Sequence, residues 1–291
     1  MTAIKPIPGP DPHPRTPAFR LPPLACDAHC HIFGPAHRYP YAPDRSYTPP
    51  DAPLEMFAAL HAKLGVERAV IVNASVHGTD NRVALDAIAQ SHGRYRAVAN
   101  LDSTITEKGI EELHEGGFRG CRFNFVRHLG GMPDMKVFER IVAMVAPHGW
   151  HIDLHFDAID LPDHAAMLER LPLRYTIDHM GRVLASGGLR QKPFETLLAL
   201  LKGDEKCWVK ISGAERVSTA GPPFHDAVPF ARELVEAAPD RIIWGTDWPH
   251  PNVRVMPNDG DLVDLIPLFA PEPELQHRIL VANPARLFDF D

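Results

Sequence analysis

Short apolar, β-branched runs recur along the chain and alternate with stretches of helical periodicity. Runs at 24–29, 68–73, 96–101, 118–124, 150–155, 174–179, 207–212 and 241–247 predict eight strands. Between them, Leu54, Phe57, Leu60 and Leu64 fall on one helical face. Val137, Ile141, Met144 and Val145 make a second such stripe, and Phe194, Leu197, Leu198 and Leu201 a third. Core packing accounts for all three. Strands alternating with helices imply a parallel sheet with right-handed crossovers. Eight such units predict a single (β/α)8 barrel, the TIM-barrel class of α/β fold, over residues 24–291.

The strands end in a pattern of their own. Asp27-Ala28-His29-Cys30-His31 closes the first, and histidines two apart on a strand share a face. The other ends carry Asn73 and Ser75, Asn100 and Asp102, Arg122 and Asn124, His155, His179, Lys210 and Ser212, and Asp247. Barrel enzymes do their chemistry at the C-terminal ends of the strands. Such an ordered rim of His, Arg and Asp argues for catalysis over a non-catalytic binding protein.

Composition narrows the picture. The 291 residues suffice for one large, well-buried domain. Residues 1–23 are Pro-rich without apolar period, which predicts an extended arm on the barrel or crossing to a neighbour; they lack the apolar core of a signal peptide. No apolar run is long enough to span a bilayer. The formal net charge of −7, with acids and bases interspersed, argues against a nucleic-acid surface. Cys26, Cys30, Cys121 and Cys207 lie in or beside strands and form no CxxC pair, which fits buried thiols in a reducing cytoplasm. Oligomeric state is left open.

Five motifs carry a resemblance. They are Asp27-Ala28-His29-Cys30-His31-Ile32-Phe33-Gly34-Pro35, Ala74-Ser75-Val76-His77-Gly78-Thr79-Asp80-Asn81, Arg122-Phe123-Asn124-Phe125, Ile177-Asp178-His179-Met180-Gly181-Arg182, and Trp244-Gly245-Thr246-Asp247-Trp248-Pro249-His250-Pro251-Asn252. The chain resembles the amidohydrolase superfamily and, within it, the 2-pyrone-4,6-dicarboxylate lactonases. The resemblance implies hydrolysis of the ring ester of a dicarboxylic lactone in bacterial breakdown of lignin-derived aromatics. Asp247 would be the base that activates water, and His29, His31 and His179 would polarise the carbonyl. Arg122, Arg216, Ser75 and Tyr47 sit at matching positions for the substrate carboxylates. Arg127 and His128 share a loop where the family places a basic pair.

The residues support these roles on their own terms. Asp247 follows an apolar strand and faces several potential cations, which favour its ionised form. Arg122 lies inward by strand alternation, on the side of Gly120 and Asn124, and an inward Arg needs an anion. Arg182 reads as structural, since Gly181-Arg182 turns into a loop.

One position departs from the family. The pyrone lactonases carry Tyr at the end of the fifth strand, and this chain has His155. His155 is expected to contact substrate. It also restores the ligand set usual in the superfamily that the chain resembles, in which His29, His31, His155 and Asp247 would hold one Zn²⁺ or Mn²⁺ ion. A bridging carboxylate for a second metal is missing, because the fourth strand offers Arg122. A pyrone ester leaves as an enolate, so hydrogen bonds can suffice and the leading expectation requires no cofactor. The alternatives are a metal-dependent muconolactone-type hydrolase, such as a 4-sulfomuconolactonase, and a metal-dependent non-oxidative decarboxylase.

Overall fold

A computed structural model describes residues 4–290. Eight parallel strands follow one another in order: β1 (Cys26–Cys30), β2 (Arg68–Val72), β3 (Tyr95–Asn100), β4 (Phe118–Asn124), β5 (His151–His155), β6 (Tyr175–Ile177), β7 (Cys207–Lys210) and β8 (Ile242–Ile243). Each pairs with the next in sequence, as right-handed βαβ units require.

Closure comes from beyond β8. Ala28 N donates to Trp244 O, Asp247 N to His29 O and His31 N to Trp248 O, at 2.9, 2.8 and 2.7 Å. The expected eighth strand at 241–247 is therefore regular only at its start; the chain then leaves β7 and pairs with β1. Gly245 makes the switch possible, because a Cβ there would lie 2.5 Å from His29 N. Asp27 fastens the seam, accepting from Thr246 N at 2.9 Å and Thr246 Oγ1 at 2.6 Å.

Helices 54–64, 135–145 and 192–203 appear where the apolar stripes fall. The middle helix is rotated from expectation. Phe138, Ile141, Val142 and Val145 are buried, while Val137 and Met144 are half-buried. The larger Phe138 takes the core position, stacking edge-on against Phe123.

The arm lies on the barrel of its own chain. Lys63 Nζ donates to Pro14 O at 2.6 Å, Arg15 pairs with Asp261 and Asp264, and Phe19 N donates to Asp264 Oδ1 at 2.8 Å. Lys5–Pro6 forms a short parallel ladder with Tyr47–Thr48, so the arm braces the segment that carries Tyr47. All four cysteines are buried and free.

Candidate active site

The seam between β1 and the end of β8 places the central carboxylate. Asp247 has a left-handed backbone (φ 67°), a conformation that costs a non-glycine residue ~1–3 kcal/mol and turns its side chain into the barrel mouth. Its Oδ1 lies 3.3 Å from His31 Nε2, 3.6 Å from His29 Nε2 and 3.8 Å from His179 Nε2. Its Oδ2 is held by Arg216, through Nε at 2.7 Å and NH2 at 2.5 Å. Burial alone would raise the Asp247 carboxyl; the Arg216 guanidinium and the surrounding histidines outweigh it and hold it well below the usual carboxylate range. A carboxylate held ionised at neutral pH thus meets three imidazoles.

These imidazoles are not equivalent. His31 Nδ1 donates to Val72 O at 2.8 Å, and its Nε2 faces Asp247 Oδ1. His179 Nδ1 contacts Ser212 Oγ at 2.9 Å, and both His179 and His31 line the pocket. His29 is sealed beneath them, fully buried, and touches Asp247 without reaching the pocket wall.

His155 stands apart from this group. Its Nδ1 donates to Asn124 Oδ1 at 3.0 Å, and its Nε2 faces Arg182 NH1 at 3.4 Å. Its ring lies beside that of His179, with centroids 5.4 Å apart. The expected metal set is corrected accordingly: among the described residues, His29, His179 and Asp247 place ligand atoms within 4.8 Å of one another, and His155 does not join them. Donors 3.3–3.8 Å from Asp247 Oδ1 are spaced as ligands around one small ion are, and three imidazoles with a carboxylate suit Zn²⁺ or Mn²⁺.

The cations divide between structure and pocket. Arg122 points inward as alternation predicts, and Gly120 two residues earlier leaves room for the His151 ring. The anion Arg122 requires is supplied from within: its NH2 donates to Asp178 Oδ2 at 2.7 Å, while its buried Nε has no partner. Arg216, expected to grip substrate, gives two nitrogens to Asp247 and also donates to Pro251 O at 2.9 Å. Arg127 is corrected to a surface residue; its guanidinium is 75% exposed and pairs with Asp160 at 2.8 Å, where solvated Asp is the nearer anion. The side chain of His128 lies outside the described residues.

Arg182 was expected to be structural, yet it lines the pocket. Successive positive φ angles at His179, Met180, Gly181 and Arg182 fold the loop back over the mouth. Tyr47 and Ser75 form the opposite wall, and burial pushes the Tyr47 phenol up to about 12. Tyr47 is therefore a donor at working pH.

Beneath the mouth the barrel interior is charged. Lys210 Nζ lies 2.8 Å from Asp153 Oδ1, 3.1 Å from Asp178 Oδ1 and 3.0 Å from His29 Nδ1, all fully buried. Neither Lys210 nor Asp178 was assigned a role from the sequence. The available signal was a Lys and an Asp at inward positions of strands that are otherwise apolar.

Burial holds His29, His77, His151, His155 and His179 below the ordinary histidine value, His151 at about 4. They are neutral in the fold and gain protons on unfolding in acid. Their contribution to stability is full above about pH 6.5 and lost as pH falls toward their folded values. His114 is lowered in the same way, while His250, raised by Asp259 against its own burial, and Glu215, raised by burial, oppose the trend as two groups against six. The melting temperature is expected to fall steadily from about pH 7 to about pH 5. A constant melting temperature across that range would contradict the assignment.

The comparisons with known proteins follow this geometry. Residues 26–290 match the family model described as Amidohydrolase. The chain belongs to the amidohydrolase family. It is 43% identical over 285 residues to a 2-pyrone-4,6-dicarboxylate hydrolase from Comamonas testosteroni, covering 95% of this chain and 93% of the relative. It is also 43% identical over 284 residues to a 4-sulfomuconolactone hydrolase from Hydrogenophaga intermedia, covering 96% and 93%. Among solved structures, one described as a putative 2-pyrone-4,6-dicarboxylic acid hydrolase from Pseudomonas putida superposes with a TM-score of 0.80 at 31% identity, covering 93% of this chain and 99% of that one. No described helix is long and apolar enough to cross a membrane.

Proposed function

We propose that this amidohydrolase opens the ring ester of a dicarboxylic lactone of the 2-pyrone-4,6-dicarboxylate type, in bacterial degradation of lignin-derived aromatic compounds. The observation that carries the reading is the Asp247 carboxylate, clamped by Arg216 on one oxygen and turned to three histidines on the other. Asp247 Oδ1 takes a proton from water in the mouth beside His31 Nε2. Hydroxide oxygen bonds to the lactone carbonyl carbon, and the ring C–O bond breaks. The ring oxygen leaves as an enolate, receives the proton from Asp247, and becomes a ketone by tautomerisation. His179 and the arginines stabilise the developing oxyanion. His29 supports Asp247 from below. The four buried thiols accord with a cytoplasmic setting.

A flat diacid needs fixed cations and hydroxyls on its rim. Arg122, Arg182, Tyr47 and Ser75 supply them, with His155 beside Arg182. Arg122→Met is expected to raise KM and lower kcat/KM by roughly tenfold or more, since a buried charged hydrogen bond is worth ~1.5–3 kcal/mol. Unchanged kinetics on a dicarboxylic lactone would make Arg122 structural and leave the substrate class unsupported.

The leading reading requires no metal. Arg216 and Lys210 already place positive charge against Asp247 and His29. The second reading is a 4-sulfomuconolactone-type hydrolase with one Zn²⁺ or Mn²⁺ ion, supported by the equal identity of that relative. His29, His31, His179 and Asp247 would hold the ion, which would supply Lewis-acid polarisation of the carbonyl. Initial rates on pyrone dicarboxylate, sulfomuconolactone and an uncharged lactone separate the readings. The proposal requires the pyrone diacid to be hydrolysed and the uncharged lactone to be refused.

A further inference from the structure

Lys210, the last residue of β7, has no solvent exposure. An ammonium group donates hydrogen bonds and cannot accept them. Its contact with His29 Nδ1, at 3.0 Å, has hydrogen-bond geometry. The competing acceptor of a His29 Nδ1 proton would be Asp178 Oδ1 at 3.2 Å, and that oxygen already faces the Lys210 ammonium at 3.1 Å. His29 Nδ1 is therefore the acceptor. With Nδ1 accepting, the ring carries its one N–H on Nε2.

A second observation agrees. His29 Nε2 and Asp247 Oδ1 are both buried and both lack a hydrogen-bond partner, and they face each other at 3.6 Å. An N–H on Nε2 turns this pair into donor and acceptor. A lone pair there would set two electron-rich atoms against each other. His31, by contrast, donates from Nδ1 to Val72 O.

We propose that Lys210 is a positioning residue that locks His29 in its Nε2–H form, so that His29 orients Asp247 by donating to Oδ1. This rests on Asp247 being the base. It also bears on metal binding, because a protonated Nε2 has no lone pair to give an ion. Asp153 and Asp178 flank Lys210 and balance its charge together with that of Arg122. They hold the ammonium where it meets His29.

The test is nitrogen NMR of the imidazoles in the wild-type enzyme, with His29 assigned by the signal lost in His29→Gln. The expected spectrum shows His29 protonated on Nε2 and His31 protonated on Nδ1. A His29 proton on Nδ1 overturns the proposal, whatever the enzyme hydrolyses. In Lys210→Met, the His29 proton is expected to move to Nδ1 toward Asp178. kcat should then fall roughly tenfold or more with little change in KM, as for other enzymes whose histidine is held in the wrong form. A folded Lys210→Met protein that keeps the Nε2 proton also overturns it. If the variant does not fold, the wild-type spectrum decides. Failure of every lactone as a substrate would instead strike the hydrolase reading and leave the tautomer result intact.

Discussion

Asp247→Asn is expected to lower kcat by roughly 10²–10⁴-fold, the range for loss of a general base. The amide keeps the shape of the carboxylate but cannot take a proton from water. Because Asp247 is the acceptor at the reacting centre and not a wall of the diacid site, KM should change little. Steady-state kinetics on a dicarboxylic lactone measure both constants. Circular dichroism establishes that the variant is folded. An Asn variant with wild-type kcat would remove Asp247 from the chemistry.

Arg216→Met should be the next most damaging change. It leaves Asp247 buried with one oxygen unpaired, and breaking a buried ion pair costs about 3–5 kcal/mol. The cost is shared between stability and catalysis. The sign of the pH effect follows from the balance at Asp247. Burial pushes that carboxyl up, and Arg216 is the strongest influence pulling it down. Without the guanidinium the carboxyl rises, so the pH below which kcat/KM declines should move upward. Arg216→Lys keeps the charge but loses the two-nitrogen fork, and should fall between the two. The pH profile separates this role from simple destabilisation. A Met variant with a lower melting temperature but an unmoved acid limb would reduce Arg216 to a structural pair.

The barrel and its rim were legible because strand ends are read from local pattern. Apolar runs of six or seven residues, each closing on a polar side chain, need no knowledge of partners. The Asp247, His29, His31 and His179 convergence follows once the strands are parallel and in sequence order. What was not legible depended on long-range pairing. The separation of fifty-six positions between Arg122 and Asp178 hides the anion that satisfies Arg122. Asp247 and Arg216 are thirty-one residues apart, and only closure of the barrel brings them together. Lys210 could be placed at a strand end, but its three partners come from β1, β5 and the turn after β6. Arg182 was misread because its turn doubles back through four positive φ angles, and only one of the four residues, Gly181, announces such a turn in sequence. His155 is grouped with the first-strand histidines by the superfamily's ligand pattern; Asn124 and Arg182 hold it beside His179 instead.

The most direct measurement of the central claim is the rate of 2-pyrone-4,6-dicarboxylate ring opening, followed by loss of pyrone absorbance, before and after exhaustive chelation of the same enzyme sample. A metal-free Asp247 base predicts ring opening at one rate in both. Absence of ring opening, or activity that chelation removes and Zn²⁺ or Mn²⁺ restores, would contradict it.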